Sequence, residues 1–241
     1  MPAQGPPALS WSTVTTPGLV LGRLPRDPSL DRVAAAEAGV RVVRRSSGGG
    51  PVLWDAGLLS LDVVLPAGHR LAPRDVVAAY RWLGEAIADA LRTLGVDEVE
   101  VIAVDLAREA RRRPGPAQDA CFGGLSPYEV LAGGRKVVGL SQARRGQGAL
   151  LQAGVPLRLD PALLGRLLGR DDAFAEGLRA TAAGLDELAP GLDAAAVVGA
   201  VEAALSASQG VTLRDDVPSA AEREAIAAAA TGALGAERAV H

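Results

Sequence analysis

The sequence predicts an α+β (mixed α/β) fold, a mixed sheet with flanking helices. Three observations lead there. Short apolar runs bounded by turn residues fill the first part of the chain, one long amphipathic helix interrupts them, and everything from Pro161 onward reads as helical. A chain of 241 residues can bury one sizeable core, or one core with a small appendage.

Taken in order, residues 1–10 read as a disordered lead. Leu19–Gly22 and Val40–Val43 are expected strands, and Asp31–Ala38 between them a short helix stopped by Gly39. Leu59, Leu61, Val63 and Leu65 alternate with Ser60, Asp62 and Val64, the period of a strand with one buried face. Over Arg74–Leu94 the residues Val76, Tyr80, Leu83, Ile87, Leu91 and Leu94 recur at helical spacing, and Gly95 supplies the stop. Val99–Val104 is an expected strand, and the Arg-rich stretch Arg108–Pro116 an expected solvated loop. Tyr128–Leu131 and Lys136–Leu140 flank Ala132-Gly133-Gly134-Arg135 as a β-hairpin, and Ala149–Gln152 and Pro156–Leu159 continue the sheet. Helices are expected over Leu163–Leu168, Ala173–Thr181, Ala194–Leu205 and Ser219–Ala233, the last opened by a capping box of Ser219 and Glu222.

Composition narrows the function classes. No apolar run reaches the roughly 18–20 residues of a membrane span, and the first residues lack the basic and apolar regions of a signal peptide, so a cytoplasmic location is expected. The net charge of −3 offers no argument for a nucleic-acid or membrane partner. With one cysteine, Cys121, an intramolecular disulfide is impossible and no metal site is expected. One lysine, Lys136, stands among 25 Lys and Arg residues. A lysine kept in so Arg-biased a chain points to a place where a compact charge on a flexible stem is needed.

Chemistry concentrates in two places. Arg44-Arg45-Ser46-Ser47-Gly48-Gly49-Gly50 follows a strand directly, and its glycines allow close backbone approach while its arginines and hydroxyls supply donors. It reads as a cradle for phosphate or carboxylate, against the alternative of a surface turn. Lys136 opens the second hairpin strand, fit to neutralise a phosphate or polarise an acyl carbonyl; the alternative is a solvated edge lysine. Cys121 lies in a loop with no histidine near it in sequence, so Lys136, Arg44, Arg45 or a backbone nest would have to activate a nucleophilic thiol.

These segments resemble the lipoate–protein ligase and octanoyltransferase family, the lipoyl branch of the biotin/lipoate ligase superfamily. Arg44, Arg45, Ser47, Gly48, Gly49 and Gly50, continued by Val52 and Asp55, match its Arg-Arg-x-Ser-Gly-Gly-Gly loop. Gly134, Arg135, Lys136, Val137, Gly139 and Gln142 match its second motif. Ala120-Cys121-Phe122 with Pro127-Tyr128-Glu129 looks like the octanoyltransferases whose loop cysteine carries an acyl thioester. Trp54 and Ala153 stand where the family carries histidines, and Asp62 where it carries a serine.

The resemblance implies a biotin/lipoate-ligase-like catalytic domain over residues 11–206, with 207–241 a helical extension short of a full accessory domain. It implies catalytic roles for Lys136 and Cys121, and substrate binding by Arg44, Arg45, Ser47, Gly48, Gly49, Gly50, Asp55, Gly139 and Gln142. Three activities are compatible with it. The first is octanoyl or lipoyl transfer through a Cys121 thioester, with no tightly bound cofactor. The second is an ATP- and Mg-dependent lipoate ligase working through lipoyl-adenylate. The third is an acyl- or nucleotide-binding protein without turnover. The implied partners are a lipoyl-domain or glycine-cleavage H-type acceptor and an acyl donor: lipoate, octanoate or an acyl carrier protein.

Overall fold

A computed structural model describes residues 5–23, 30–45, 47–224 and 227–228. Its main feature is a six-stranded antiparallel sheet. The strands are β1 (Ala8–Thr13), β5 (Leu58–Pro66), β9 (Gly148–Pro156), β8 (Arg135–Arg145), β7 (Val130–Ala132) and β6 (Val99–Val101), in the order β1-β5-β9-β8-β7-β6. A three-stranded sheet, β3-β2-β4, is built from β2 (Gly18–Leu21), β3 (Arg41–Arg44) and β4 (Val52–Trp54). Helix α1 (Arg32–Glu37) makes the crossover that a parallel β2–β3 pair needs, and Asp31 caps it.

The alternation in β5 sorts two cores. Leu59, Leu61, Val63 and Leu65 face α2 (Arg81–Thr93) and α7 (Ala194–Gln209), where they meet Leu83, Ile87, Leu91, Val197 and Val201. Leu58 belongs to the second core, with the small sheet and helices α4 (Pro161–Leu167) and α5 (Asp172–Thr181). Ser60 on β5 and Gln152 on the neighbouring β9 lie on the face opposite Leu59 and Leu61, toward the small sheet.

Several expectations are corrected. Ala8–Ser10 do not belong to a disordered lead: Ala8–Thr13 pair with β5, Trp11 opposite Leu61, and the Trp11 indole donates to Glu202 at 3.1 Å. The long helix starts at Arg81, after a 3₁₀ turn over Ala78–Tyr80, because the Asp75 carboxylate accepts from Val77 and Ala78 N–H and holds a turn there. The expected strand through Val104 stops at Val101. Val104–Arg112 is helix α3 rather than part of a loop, held by the buried Ala107 and by Asp105–Arg108 and Glu109–Arg113 pairs one turn apart. Pro156–Leu159 is not a separate strand; β9 runs unbroken to Pro156, which ends it.

The hairpin turn is Gly133-Gly134, with φ of +53° and +72°, the conformation of a two-residue type I′ connection. A further short helix, α6 (Leu185–Leu188), was not foreseen. Helix α7 runs through Gln209 and ends at Gly210 with φ +62°, and the first compact unit runs through Gly210. In the second unit, from Val211, the capping box forms as expected: Ser219 N–H donates to Glu222 Oε2 and Glu222 N–H to Ser219 Oγ. Residues 225–226 and 229–233 of that expected helix lie outside the described residues.

Candidate active site

The glycine-rich loop and the cysteine loop lock together. Gly50 lies so close to the second loop that a Cβ there would stand 1.9 Å from the Asp119 carbonyl oxygen. Cys121 N–H donates to the Pro51 carbonyl at 2.9 Å. Gly49 takes φ +108°, and Gly22 sits against it so tightly that a Cβ would meet the Gly49 oxygen at 2.0 Å. Of the arginines, Arg44 is exposed and donates to the Gly22 carbonyl at 2.7 Å. Arg45 turns inward and reaches the Gly50 carbonyl at 3.3 Å. Its Nε–H is buried and has no acceptor among the described residues. Ser46 lies outside them.

Lys136 is not an exposed hairpin lysine. It is 1% exposed on a strand interior to the sheet. Its ammonium lies 2.7 Å from Glu129 Oε2 and donates to the carbonyls of Cys121, at 2.7 Å, and Gly124, at 3.0 Å. All three of its N–H donors are thus used. The Phe122 ring centroid is 5.4 Å away. Glu129 also accepts from Ser126 N–H at 2.7 Å and Leu140 N–H at 3.1 Å. Burial pushes its carboxyl above the ordinary range, against the pull of Lys136 and those two N–H groups. Tyr128, held at φ +66°, turns the chain so that Glu129 points inward. One buried ion pair therefore pins the loop that carries Cys121 to the sheet.

A cleft opens between the two sheets, and Cys121, Arg45, Ser60, Ser141 and Gln152 supply its polar lining. Val52, Trp54, Leu58 and Phe122 make it apolar elsewhere. Ser47 Oγ donates to Gln152 Oε1 at 3.0 Å, Ser141 Oγ to the same oxygen at 3.3 Å, and Gln152 Nε2 to Asp62 Oδ1 at 2.8 Å. Ser47, 2% exposed, thereby ties the glycine loop to the sheet.

Of the residues singled out in sequence, Arg45, Ser47, Gly50, Cys121, Lys136 and Gly139 come together; Gly48 and Gly49 form the loop's exposed crest. Three do not join them. Arg44 faces outward. Asp55 accepts from Gly57 N–H at 2.7 Å and shapes the β4–β5 turn. Gln142 donates to the Val76 carbonyl, accepts from Arg144 and hydrogen-bonds Tyr80, whose hydroxyl burial pushes up to about 12. Sequence reasoning did not single out Glu129, Phe122, Ser60, Ser141 or Gln152 as site residues. A signal existed for one of them: a serine in a leucine-alternating strand marks the strand's other face. No group of three or more His, Cys, Asp or Glu among the described residues is placed to hold a metal ion.

Comparison with known proteins agrees with this geometry. The family model described as the lipoyl protein ligase A/B catalytic domain matches residues 2–206. The octanoyltransferase LipM of Exiguobacterium sp. (strain ATCC BAA-1283 / AT1b) is 37% identical over 161 residues, 66% of this chain and 57% of that protein. LipM of Exiguobacterium sibiricum is 36% identical over 191 residues, 76% of this chain and 68% of that protein. The chain thus spans little more than half to two thirds of the length of these relatives. Among solved structures, the bi-partite lipoate protein ligase of Thermoplasma acidophilum superposes with a TM-score of 0.70 at 19% identity, covering 90% of this chain and 77% of that one. A lipoate-protein ligase A bound with ATP gives 0.69 at 22%, covering 90% and 78%. These two likenesses establish the shared fold.

Proposed function

Because the chain belongs to the lipoyl protein ligase A/B catalytic-domain family, we propose that it transfers an octanoyl or lipoyl group to a lysine of a lipoyl-domain or H-type acceptor, through a thioester on Cys121. One observation carries the reading: Cys121 lines the cleft on a loop held by the buried Lys136–Glu129 pair. In the first half-reaction the Cys121 thiolate attacks the acyl carbonyl of a thioester donor, such as an acyl carrier protein, and the donor's thiol departs. In the second, the neutral amine of the acceptor lysine attacks the Cys121 thioester, an amide forms, and the amine's proton returns to the thiolate. Arg45, which lines the cleft and whose buried Nε–H has no acceptor among the described residues, suits the developing oxyanion or a donor phosphate. Lys136 acts as a positioning residue. To touch the acyl carbonyl, as the resemblance implies, its ammonium would have to release a loop carbonyl.

This route needs no tightly bound cofactor, and LipM, the name of the curated relatives, denotes an octanoyltransferase. The ATP- and Mg-dependent route has one supporting observation, the free Arg45 donor, which fits a phosphate as well as a carbonyl. Among the described residues no helix is long and apolar enough to cross a membrane, and a cytoplasmic setting fits the proposed donors.

Intact-protein mass spectrometry after incubation with octanoyl carrier protein tests the proposal. An octanoyl adduct is expected on the native chain and none on Cys121→Ser, which should also lose transfer to an acceptor domain. Full transfer by Cys121→Ser, with pyrophosphate released from ATP and lipoate, would replace the thioester route by the adenylate route.

A further inference from the structure

Two rows of residues cross the cleft face of the large sheet side by side. In one, Ser60, Gly154 and Gly139 stand opposite one another on β5, β9 and β8, and the Cys121 sulfur lies 3.6 Å from where a Cβ on Gly139 would be. In the other, two residues and roughly 7 Å along the strands, stand Asp62, Gln152 and Ser141. The first row is made of small residues and serves the cysteine loop. The second is wholly polar and serves the glycine-rich loop.

The polar row has a fixed direction. A carboxylate can only accept hydrogen bonds, so Asp62 Oδ1, 2.8 Å from Gln152 Nε2, turns the amide nitrogen toward β5. The amide oxygen is then left to accept from Ser47 Oγ at 3.0 Å and from Ser141 Oγ at 3.3 Å. A reversed amide would set oxygen against oxygen at Asp62 and take the acceptor away from both hydroxyls. Ser47, 2% exposed, is also held through its carbonyl, which accepts from Arg23 N–H at 3.0 Å. Three residues on, Gly50 packs against the Asp119 backbone, and the Pro51 carbonyl takes the Cys121 N–H.

We propose that Asp62 is a positioning residue: by fixing which way the Gln152 amide faces, it sets the Ser47 hydroxyl, the glycine-rich loop and, through that loop, the backbone that presents Cys121. Its importance to catalysis rests on the reading of Cys121 as the acylated residue; the relay itself does not. Asparagine at position 62 is the discriminating change. It keeps the size of the side chain but offers an oxygen or an NH₂ group, so the Gln152 amide is no longer held in one orientation.

The test is a double-variant cycle on the full chain, read by the rate of Cys121 alkylation with iodoacetamide, after each variant is shown to melt cooperatively. Asp62→Asn should shift the rate about two- to tenfold, the range that one hydrogen bond spans, and Ser47→Ala should shift it in the same direction. Asp62→Asn/Ser47→Ala should go no further than Ser47→Ala alone, to within about twofold, because both changes break one chain of contacts. Independent effects that multiply, or a parent-like rate in Asp62→Asn, overturn the proposal. If Ser47→Ala does not fold, Gln152→Met, which removes the middle of the relay, takes its place in the cycle with the same expected outcome. Octanoylation of Cys121 by octanoyl carrier protein should follow the same pattern. The alkylation pattern with no octanoyl adduct even on the parent would sink the transfer reading and leave the relay standing.

Discussion

Lys136 illustrates what a single residue can hide in a sequence. As a hairpin-strand lysine it reads as exposed, and an exposed site would accept arginine within about 0.5 kcal/mol. Buried, with its three donors on Glu129, Cys121 and Gly124, it has no room for a planar guanidinium. Lys136→Arg is therefore expected to cost about 1–3 kcal/mol through overpacking. Lys136→Met should cost about 3–5 kcal/mol, because the Glu129 carboxylate is left buried without its counter-ion. The double variant Lys136→Met/Glu129→Met, which removes both charges, should recover much of that loss. Urea denaturation of the three variants checks the set, and a Lys136→Arg protein as stable as the parent would contradict the buried pair. Rates of Cys121 alkylation in the same variants show whether the pin also positions the thiol.

At the scale of elements, the site depends on two loops that touch through glycine. Gly49→Ala forces a side chain into φ +108° and onto the Arg45 guanidinium, 2.4 Å away. A cost of about 1–3 kcal/mol is expected from the backbone alone. Gly50→Ala strikes the Asp119 backbone rather than the end of a flexible side chain, so it should displace the cysteine loop. Both variants should weaken octanoate binding, measured by calorimetry. Gly50→Ala should also slow Cys121 alkylation more than Gly49→Ala does. Equal alkylation rates in parent and Gly50→Ala would mean that the loops do not depend on each other. The arginine-rich stretch teaches a related lesson: Arg108 and Arg113 look like solvated loop in isolation, yet pairs with Asp105 and Glu109 at three and four residues organise it as helix.

For the whole molecule, the division at Gly210 is the feature open to test. Helix α7 packs Val197, Val201 and Leu205 into the main core and ends at a left-handed glycine, after which residues 211–219 carry neither helix nor strand. A chain ending at Gly210 is expected to unfold cooperatively, with Tm within about 2–4 °C of the full chain, the shift that roughly 1 kcal/mol produces at this size. Calorimetry of the two proteins decides it; loss of the cooperative transition would show that the first unit does not fold alone.

What the sequence determined by itself is what depends on local order: the period-2 face of β5, the Gly133-Gly134 turn, the capping residues, and the order of strands and helices. The family's two motifs were legible for the same reason, since each lies within one loop or one hairpin. The strand Ala8–Thr13 escaped because an edge strand shows its pattern only against the partner it pairs with. What the tertiary structure alone decided is which of those residues meet. Lys136 lies on β8 and Glu129 immediately before its neighbour β7, and burial joins their charges beneath a loop. Gln142, inside a matched motif, was drawn instead to Val76, Arg144 and Tyr80, while Gln152 and Ser141 took the cleft. Side chains choose partners by the space and dielectric that packing leaves them, and neither is written in a residue's immediate neighbours.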